Sequence, residues 1–413
     1  MNTFSRISLA CLTFLLLLNR AQAQPTFSID VQGPTAPGSV SEGDILTPTG
    51  TGTIPPPAVA VSVFALGVAS VPGARAEVDA LSYGTEPLLV AAPGVQHSWT
   101  FSVDEFAIGR PGVAFPSVTT EGAFGAQEAS ADIYASNQAP GPVFPYAGSN
   151  VGLYDGNGGV TPFLAPGLNL VEPNPPTING PDPGDNLDAW DLDQAPPVVI
   201  FGQTLSTPIY FSLDAQYSDP FEGTFANQGS AVANSFVSGD VLVSVIPGIP
   251  PTVFASAASL GLDQSGPDHD DLDALVLREN GDGVFTPSTA PYSWTNGIDD
   301  MLLFSVRRGS QVIGQIDSFM GLPIEEGDIL MPPTTPGGLP GIFVTAEALG
   351  LVTVRTFGIA ATFKGLGDDL DGLDVQQQMI PEPACLTLAA GSVIALLCRR
   401  HFSLWDYSQS LCV

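Results

Sequence analysis

The side chains whose type and spacing could do chemistry are aspartates, which gather in short clusters. Alternate residues of a strand share a face, so we expect Asp271 to lie beside Asp273 and Asp369 beside Asp371. With almost no lysine or arginine nearby, their repulsion must be relieved by water, a raised pKa or a hard cation. The residues predicted to bind such a cation are Asp268, Asp270, Asp271, Asp273, Asp368, Asp369 and Asp371.

Calcium is the cation that suits these clusters, because it takes about six to eight oxygen ligands. Residues 280–283 read Asn-Gly-Asp-Gly, as in part of a calcium loop, but Arg278 and Thr289 stand where the first and last ligands would be. Two interpretations stay open: a structural calcium ion, and an acidic turn that recurs because it ends a strand. No other cofactor is predicted. A further cluster contains Asp185, Asp188, Asp191 and Asp193.

Residues suited to catalysis are few. Between residues 24 and 380 the histidines are His97 and His269, and no HExxH, GxSxG or GxxxxGK pattern occurs. His269 lies among aspartates and is interpreted either as a solvated loop residue or as a metal ligand. We therefore predict no catalytic residue and no enzyme.

A carbohydrate-active enzyme is the alternative, because two carboxylates alone can hydrolyse a glycosidic bond. Its aspartates would lie in residues 135–185 or 268–273, although no single pair stands out. Three tryptophans could stack on sugars or fill a buried core. They are Trp99, Trp190 and Trp294.

Charge and cysteine placement narrow the classes of partner. The chain of 413 residues has 42 acidic residues against 11 lysines and arginines, for a net charge of −31. Phosphate backbones are bound by clustered cations, so nucleic acid is excluded as a partner. The cysteines are Cys11, Cys385, Cys398 and Cys412, which leaves residues 24–380 without a disulfide. Core packing, repeats or bound ions must stabilise that body.

Both ends have the pattern of targeting segments. Residues 1–23 combine an early Arg6 with an apolar run and the small residues Ala21 and Ala23, as in a cleaved secretory signal peptide. At the other end an apolar run over residues 384–398 predicts a hydrophobic helix of about 22 Å, marginal for a membrane span. The residues that flank this run are Pro381, Glu382, Pro383, Arg399 and Arg400.

The segment 381–401 resembles the C-terminal sorting signal of PEP-CTERM proteins, in which a Pro-Glu-Pro start is followed by an apolar run and a basic stop. The resemblance implies recognition by the export machinery and by an exosortase-like enzyme. It also implies anchoring in the inner membrane through this segment, either transient or lasting, and a location in the cell envelope or outside the cell. The chain departs from the pattern by continuing through a short tail, 402–413.

The body, residues 24–380, is a degenerate repeat in which four short sequence motifs recur in one order. We call these motifs landmarks. The first begins at Phe27, Phe101, Phe211 and Phe304; the second contains Asp44, Asp132, Asp240 and Asp328; the third is centred on Gly67, Asn169, Gly261 and Gly350; the fourth contains Asp79, Asp188, Asp273 and Asp371. The repeats lie near 27–84, 101–193, 211–280 and 304–375, and they resemble FSVD/GDI/LGL/DDLDAL repeats of exported planctomycete-type proteins.

The fold predicted from these repeats is all-β. The chain has 45 glycines and 39 prolines, and its β-favouring stretches are short. Four strands per repeat favour a propeller-like ring, and tandem β-sandwiches are the alternative. The second-landmark aspartates are expected to orient turns through hydrogen bonds to the backbone. The function expected is that of an exported, non-catalytic scaffold of the envelope or matrix, whose variable loops bind a partner such as extracellular polysaccharide.

Overall fold

A computed structural model defines the fold. The residues it describes are 24–30, 35, 40–49, 56–68, 76–82, 98–110, 117–123, 126–137, 148–158, 167–172, 184–192, 208–214, 218–219, 223–224, 229–245, 249–357 and 367–376. All of them belong to one compact unit, residues 24–86 and 93–376. The predicted signal peptide (1–23), sorting segment (381–401) and tail (402–413) lie outside the described residues.

Short strands dominate, because glycine and proline interrupt the apolar runs every few residues. The strands are β1 Gln24–Phe27, β2 Ile45–Thr47, β3 Ala58–Val61, β4 Leu81–Ser82, β5 Ser98–Phe101, β6 Ile133–Asn137, β7 Val151–Tyr154, β8 Ala189–Asp191, β9 Ile209–Ser212, β10 Ser218–Asp219, β11 Gly223–Thr224, β12 Val241–Ser244, β13 Thr252–Ala255, β14 Leu272–Arg278, β15 Met301–Val306, β16 Ile329–Met331, β17 Gly341–Val344 and β18 Leu373–Gln376.

The helices are single turns between strands. They are Val63–Leu66, Val118–Glu121, Ser230–Asn234, Ala257–Leu260, Ala346–Leu349 and Val354–Phe357, with 3₁₀ turns at Ala129–Ala131 and Ser293–Asn296. In the part of the chain that the structure describes, no helix combines the length and the apolar character that crossing a bilayer requires.

Four antiparallel sheets of four strands form the blades of a four-bladed β-propeller. Their strand orders are β18-β1-β2-β3 (blade 1), β4-β5-β6-β7 (blade 2), β8-β9-β12-β13 (blade 3) and β14-β15-β16-β17 (blade 4). The innermost strands, β4, β8, β14 and β18, contact one another in a ring. The prediction of a propeller is confirmed, and the sandwich alternative is wrong. The strands β10 and β11 form a separate hairpin.

The sequence repeat and the blade are offset by one strand. The fourth landmark of each repeat starts the innermost strand of the following blade, so β4 pairs with β5 rather than with β3. The last landmark has no following blade, and β18 instead pairs with β1, placing Gln376 opposite Gln24. Hydrogen bonds between the last and first strands therefore close the ring.

The hydrophobic core consists of four clusters, one between each pair of adjacent blades. Strand β15 shows why both faces of a blade are apolar. Phe304 packs toward blade 3, whereas Leu303 packs toward blade 1. The phenylalanine of each first landmark is fully buried in these clusters. Neighbouring blades thus cover each other's apolar faces, as the repeat pattern predicts.

A serine in each first landmark joins adjacent blades. The hydroxyl of Ser305 donates to the carbonyl of Leu370 at 2.7 Å, and that carbonyl lies just before the fourth-landmark aspartate of the next blade. The other three blades repeat this bond over 2.6–3.0 Å, with Ser28 to Val78, Ser102 to Leu187 and Ser212 to Leu272. This cyclic set fixes where one innermost strand begins relative to its neighbour.

The second and third landmarks also have local structural roles. Asp240 accepts backbone N–H groups from Val237 and from Ala257, so its carboxylate ties a turn to the helix after the last strand of the blade. Asp44, Asp132 and Asp328 likewise accept backbone N–H groups, which confirms the expected role. In the third landmark the central residue has a positive φ, 84° at Gly261 and 62° at Asn169, which glycine and asparagine tolerate best.

Candidate functional site

One pocket gathers acidic side chains from all four blades. We call it the acidic pocket; its lining residues are Asp30, Glu77, Asp79, Asp104, Asn186, Asp188, Asp273, Arg307, Asp369 and Asp371. Eight of these ten residues carry carboxyl groups, against one guanidinium. The cavity volume is about 30 Å³, and one water needs about 10–15 Å³. The pocket is therefore the size of an ion with a few waters.

Three sequence positions of the repeat supply all ten residues that line the pocket, and two residues at these positions, Asp214 and Asp271, do not line it. One is the fourth-landmark aspartate, represented by Asp273, and another lies two residues before it, represented by Asp369. The third ends the first landmark, represented by Asp30. Alternate residues at the start of an innermost strand share a face. The ring of blades directs the equivalent positions of all four repeats toward one place.

Asp273, Asp369 and Asp371 form the best candidate metal centre. One oxygen from each lies within 4.8 Å of the other two, which is about twice a calcium–oxygen bond of ~2.4 Å, so one ion could contact all three. The side chains are 6%, 2% and 6% exposed. Among the described residues, Asp273 Oδ2, Asp369 Oδ1 and Asp371 Oδ2 have no hydrogen-bond partner. Buried carboxylate oxygens of this kind are satisfied by a cation or by a proton.

Burial and mutual repulsion raise the pKa values of this group. For Asp273 burial raises the pKa first and the carboxylate of Asp369 raises it further. The pKa of Asp371 is raised by burial and by Asp273, although a hydrogen bond with Glu77 works in the opposite direction. Burial and Asp371 also raise the pKa of Glu77. Without a cation, Glu77 and Asp371 can relieve their repulsion by sharing a proton.

A second carboxylate group shares Asp188 with the acidic pocket, and one oxygen each of Asp188, Asp214 and Asp271 lies within 4.8 Å of the other two. Here Arg307 supplies positive charge, with its Nη1 atom 3.5 Å from Asp214 Oδ2 and 3.7 Å from Asp271 Oδ2. The adjacent Arg308 has a different role. Its guanidinium pairs with Asp30, while its backbone N–H donates to Asp369 at 2.8 Å.

The structure places three of the seven predicted metal ligands outside the carboxylate groups of the described residues. Asp268, Asp270 and Asp368 do not join the group formed by Asp273, Asp369 and Asp371, and Asp271 joins the second group instead. The carboxylates of Asp268, Asp270 and Asp368 accept hydrogen bonds from backbone N–H groups within the fold. Asp268 accepts from the backbone N–H of Ser238, Asp270 from those of Val312 and Asp263, and Asp368 from those of Thr35 and Val352.

The remaining candidates from the sequence take structural positions. Trp99, Trp190 and Trp294 are at most 7% exposed, so they belong to the core rather than to a sugar-stacking surface. His269 is partly buried and belongs to no carboxylate group of the described residues. His97 lies outside the described residues.

A third carboxylate group, Asp132, Asp155 and Glu172, lies in blade 2. The carboxylate of Asp132 is already engaged, since it accepts from the N–H of Gly156 and the hydroxyl of Tyr134. Burial, followed by the charge of Asp155, raises the pKa of Glu172 to about 8. The structural role of Asp132 as a second-landmark aspartate thus accounts for the position of its carboxylate.

Sequence reasoning missed six of the residues that line the pocket: Asp30, Glu77, Asp79, Asp104, Asn186 and Arg307. Asp30 and Asp79 belong to landmarks that were recognised, but only the closed ring shows that the two landmarks meet. Superposing the four repeats would have found them, because each has an acidic or polar residue at the same three positions.

Comparison with known proteins does not assign the chain to a family. No family model matches the chain, and no curated protein and no solved structure matches it either.

Proposed function

We propose that the chain is an exported, non-catalytic protein of the cell envelope or extracellular matrix, whose propeller is stabilised by a calcium ion in the acidic pocket. The observation that supports the calcium ion is that one carboxylate oxygen each of Asp273, Asp369 and Asp371 lies within 4.8 Å of the other two. All three side chains are nearly buried. At that separation two like charges repel by about 3 kcal/mol at an effective dielectric constant of ~20. A divalent cation converts this repulsion into ligation.

Export is supported by the sequence at both ends. Ala21 and Ala23 mark a signal-peptide cleavage site, and residues 381–401 resemble a PEP-CTERM sorting signal. The partners in this proposal are the export machinery and an exosortase-like enzyme, with the inner membrane contacted through the C-terminal segment. The propeller then acts as a rigid scaffold, and the insertions of unequal length between its strands are the surfaces that bind extracellular polysaccharide.

The ion is tested by thermal unfolding of the protein purified after export, in calcium and in chelator, with magnesium as the control for general divalent effects. An ion that binds only the folded state raises stability by about 2.7 kcal/mol at a hundred times its Kd. We expect a higher midpoint in calcium. Equal midpoints in calcium and chelator would remove the ion from the proposal.

Export is tested separately by fractionating the producing cells and sequencing the N-terminus of the mature chain. We expect the mature protein to begin at Gln24. Replacing Arg399 and Arg400 together by glutamine should change the distribution between membrane and exterior, whereas replacing Arg278 should not. A chain that stays in the cytoplasm with Met1 intact would contradict the proposal.

A carbohydrate-active enzyme is the second candidate, because the acidic pocket holds several carboxyl groups with raised pKa values, as a general acid requires. The small cavity favours an ion over a sugar ring. Screening the exported protein against polysaccharides separates the two functions. Turnover that is lost in Asp273→Asn would replace the non-catalytic proposal.

A further inference from the structure

Arg307 breaks the fourfold pattern of the acidic pocket. The residue that ends the first landmark is aspartate in three blades, at Asp30, Asp104 and Asp214, and arginine in blade 4. In each blade this position follows the second strand, and three of the four side chains, Asp30, Asp104 and Arg307, line the pocket. Arg307 therefore puts positive charge where the repeat otherwise places a carboxylate.

The partners of Arg307 come from two blades. Its guanidinium lies 3.5 Å from Asp214, at the end of the first landmark of blade 3, and 3.7 Å from Asp271, which precedes β14 of blade 4. Asp188 completes this group, with its three oxygens within 4.8 Å of one another. Asp188 is 3% exposed, and among the described residues its Oδ2 atom has no hydrogen-bond partner.

The two carboxylate groups thus differ in how their charge is balanced. In the group of Asp273, Asp369 and Asp371, burial raises the pKa values, while the charge of Arg308 lowers that of Asp369 and the charge of Arg307 lowers that of Asp273. The guanidinium of Arg308 is directed to Asp30 and to the carbonyl of Gly367, 3.4 Å away. In the group of Asp188, Asp214 and Asp271, a guanidinium stands beside the carboxylates where an ion would otherwise bind.

We propose that Arg307 is a built-in counter-ion that fills the second of two cation positions in the acidic pocket. The pocket then takes one divalent cation, at Asp273, Asp369 and Asp371, instead of two. This inference rests on the proposed calcium site. It adds that a single side chain, Arg307, sets the number of cations that the acidic pocket binds. With aspartate at position 307, the pocket would bind two cations.

The test is the number of calcium ions bound by the exported protein, measured by native mass spectrometry and by calorimetric titration. We expect one ion for the unmodified chain and for Arg307→Lys, and two for Arg307→Asp, which restores the residue of the other blades. Arg278→Asp is the matched control, because it makes the same charge change at the far end of β14, about 20 Å from the strand's start. It should bind one ion.

Each other outcome has a defined meaning. One ion in both the unmodified chain and Arg307→Asp overturns the counter-ion role but keeps the calcium site. No ion in the unmodified chain and one in Arg307→Asp overturns the proposed function but supports the counter-ion role. If Arg307→Asp and Arg307→Gln fold only in calcium, the ion has replaced the guanidinium, as proposed. If neither folds even in millimolar calcium, the proposal is wrong.

Discussion

Replacing Asp371 by asparagine should change stability in opposite directions with and without calcium. The side chain is 6% exposed, and one of its oxygens lies within 4.8 Å of oxygens of Asp273 and Asp369. Without calcium, Asp371→Asn removes a buried repulsion of about 3 kcal/mol per charged pair at an effective dielectric constant of ~20. Protonation already relieves part of that repulsion, since the pKa of Asp371 is raised by burial and by Asp273. We therefore expect a gain of about 1–2 kcal/mol in chelator.

With calcium the same substitution removes one charged ligand from the proposed centre. The increase in unfolding midpoint on adding calcium should then shrink or disappear, so the variant is more stable than the unmodified chain in chelator and less stable in calcium. A change of 1 kcal/mol moves the midpoint of a protein this size by about 2 °C, which calorimetry resolves.

The control is Asp282→Asn, which makes the same chemical change at an exposed turn outside the acidic pocket. It should leave the difference between calcium and chelator unchanged. If Asp371→Asn destabilises the protein equally in both conditions, the carboxylate acts as an ordinary structural acceptor, and the reasoning about repulsion and ligation is refuted.

Three further predictions concern the fold and its pH dependence. Ser305→Ala removes the 2.7 Å bond to the Leu370 carbonyl between blades 4 and 1, and denaturant unfolding should show a loss of about 1–3 kcal/mol. Gly261→Ala should cost more than Gly281→Ala: both have positive φ, but a Cβ at Gly261 would lie 2.7 Å from a backbone oxygen, while one at Gly281 meets no atom within 4 Å. Burial raises the pKa of Glu172 from 4.5 to about 8, so its folded form keeps a proton that the unfolded chain has lost. The free energy of unfolding should therefore fall as pH rises from 4.5 to 8, and Glu172→Gln should flatten that decline.

Each of these experiments has a local control. Ser259→Ala removes a surface hydroxyl that bonds only to the nearby Ser256 carbonyl, and its effect should be smaller than that of Ser305→Ala. Ser259→Ala removes no ionisable group and should leave the pH profile as it is. Equal costs for the two glycine variants would show that backbone strain alone, without the close contact at Gly261, governs that position.

The fold could be predicted from the sequence because its landmarks are local and repeated. The burial of Phe27 and its equivalents follows from their recurrence in short apolar strands, and Gly261 and Asn169 occupy a backbone conformation that few other residues tolerate. The role of Asp240 followed from its place before an apolar strand. These inferences need no knowledge of which segments meet in space.

The site could be predicted only in part, because its residues meet through the closure of the ring. Asp369 and Asp371 lie together as alternate residues should, but their partner Asp273 comes from the neighbouring blade. Asp268 and Asp270 look equally suited to a metal in the sequence, and only their backbone partners distinguish them. Proximity along the chain thus overestimates the number of candidate ligands within a cluster and does not show which clusters meet in space.

The pairing of Gln24 with Gln376 sets an order of events during synthesis. Because β18 completes blade 1, that blade has three strands until the end of the body emerges, and β1 keeps an unpaired edge meanwhile. An open edge can pair with another chain. Nascent chains must therefore be kept apart until their final strand arrives, and a chain that ends before Leu373 would leave that edge exposed permanently.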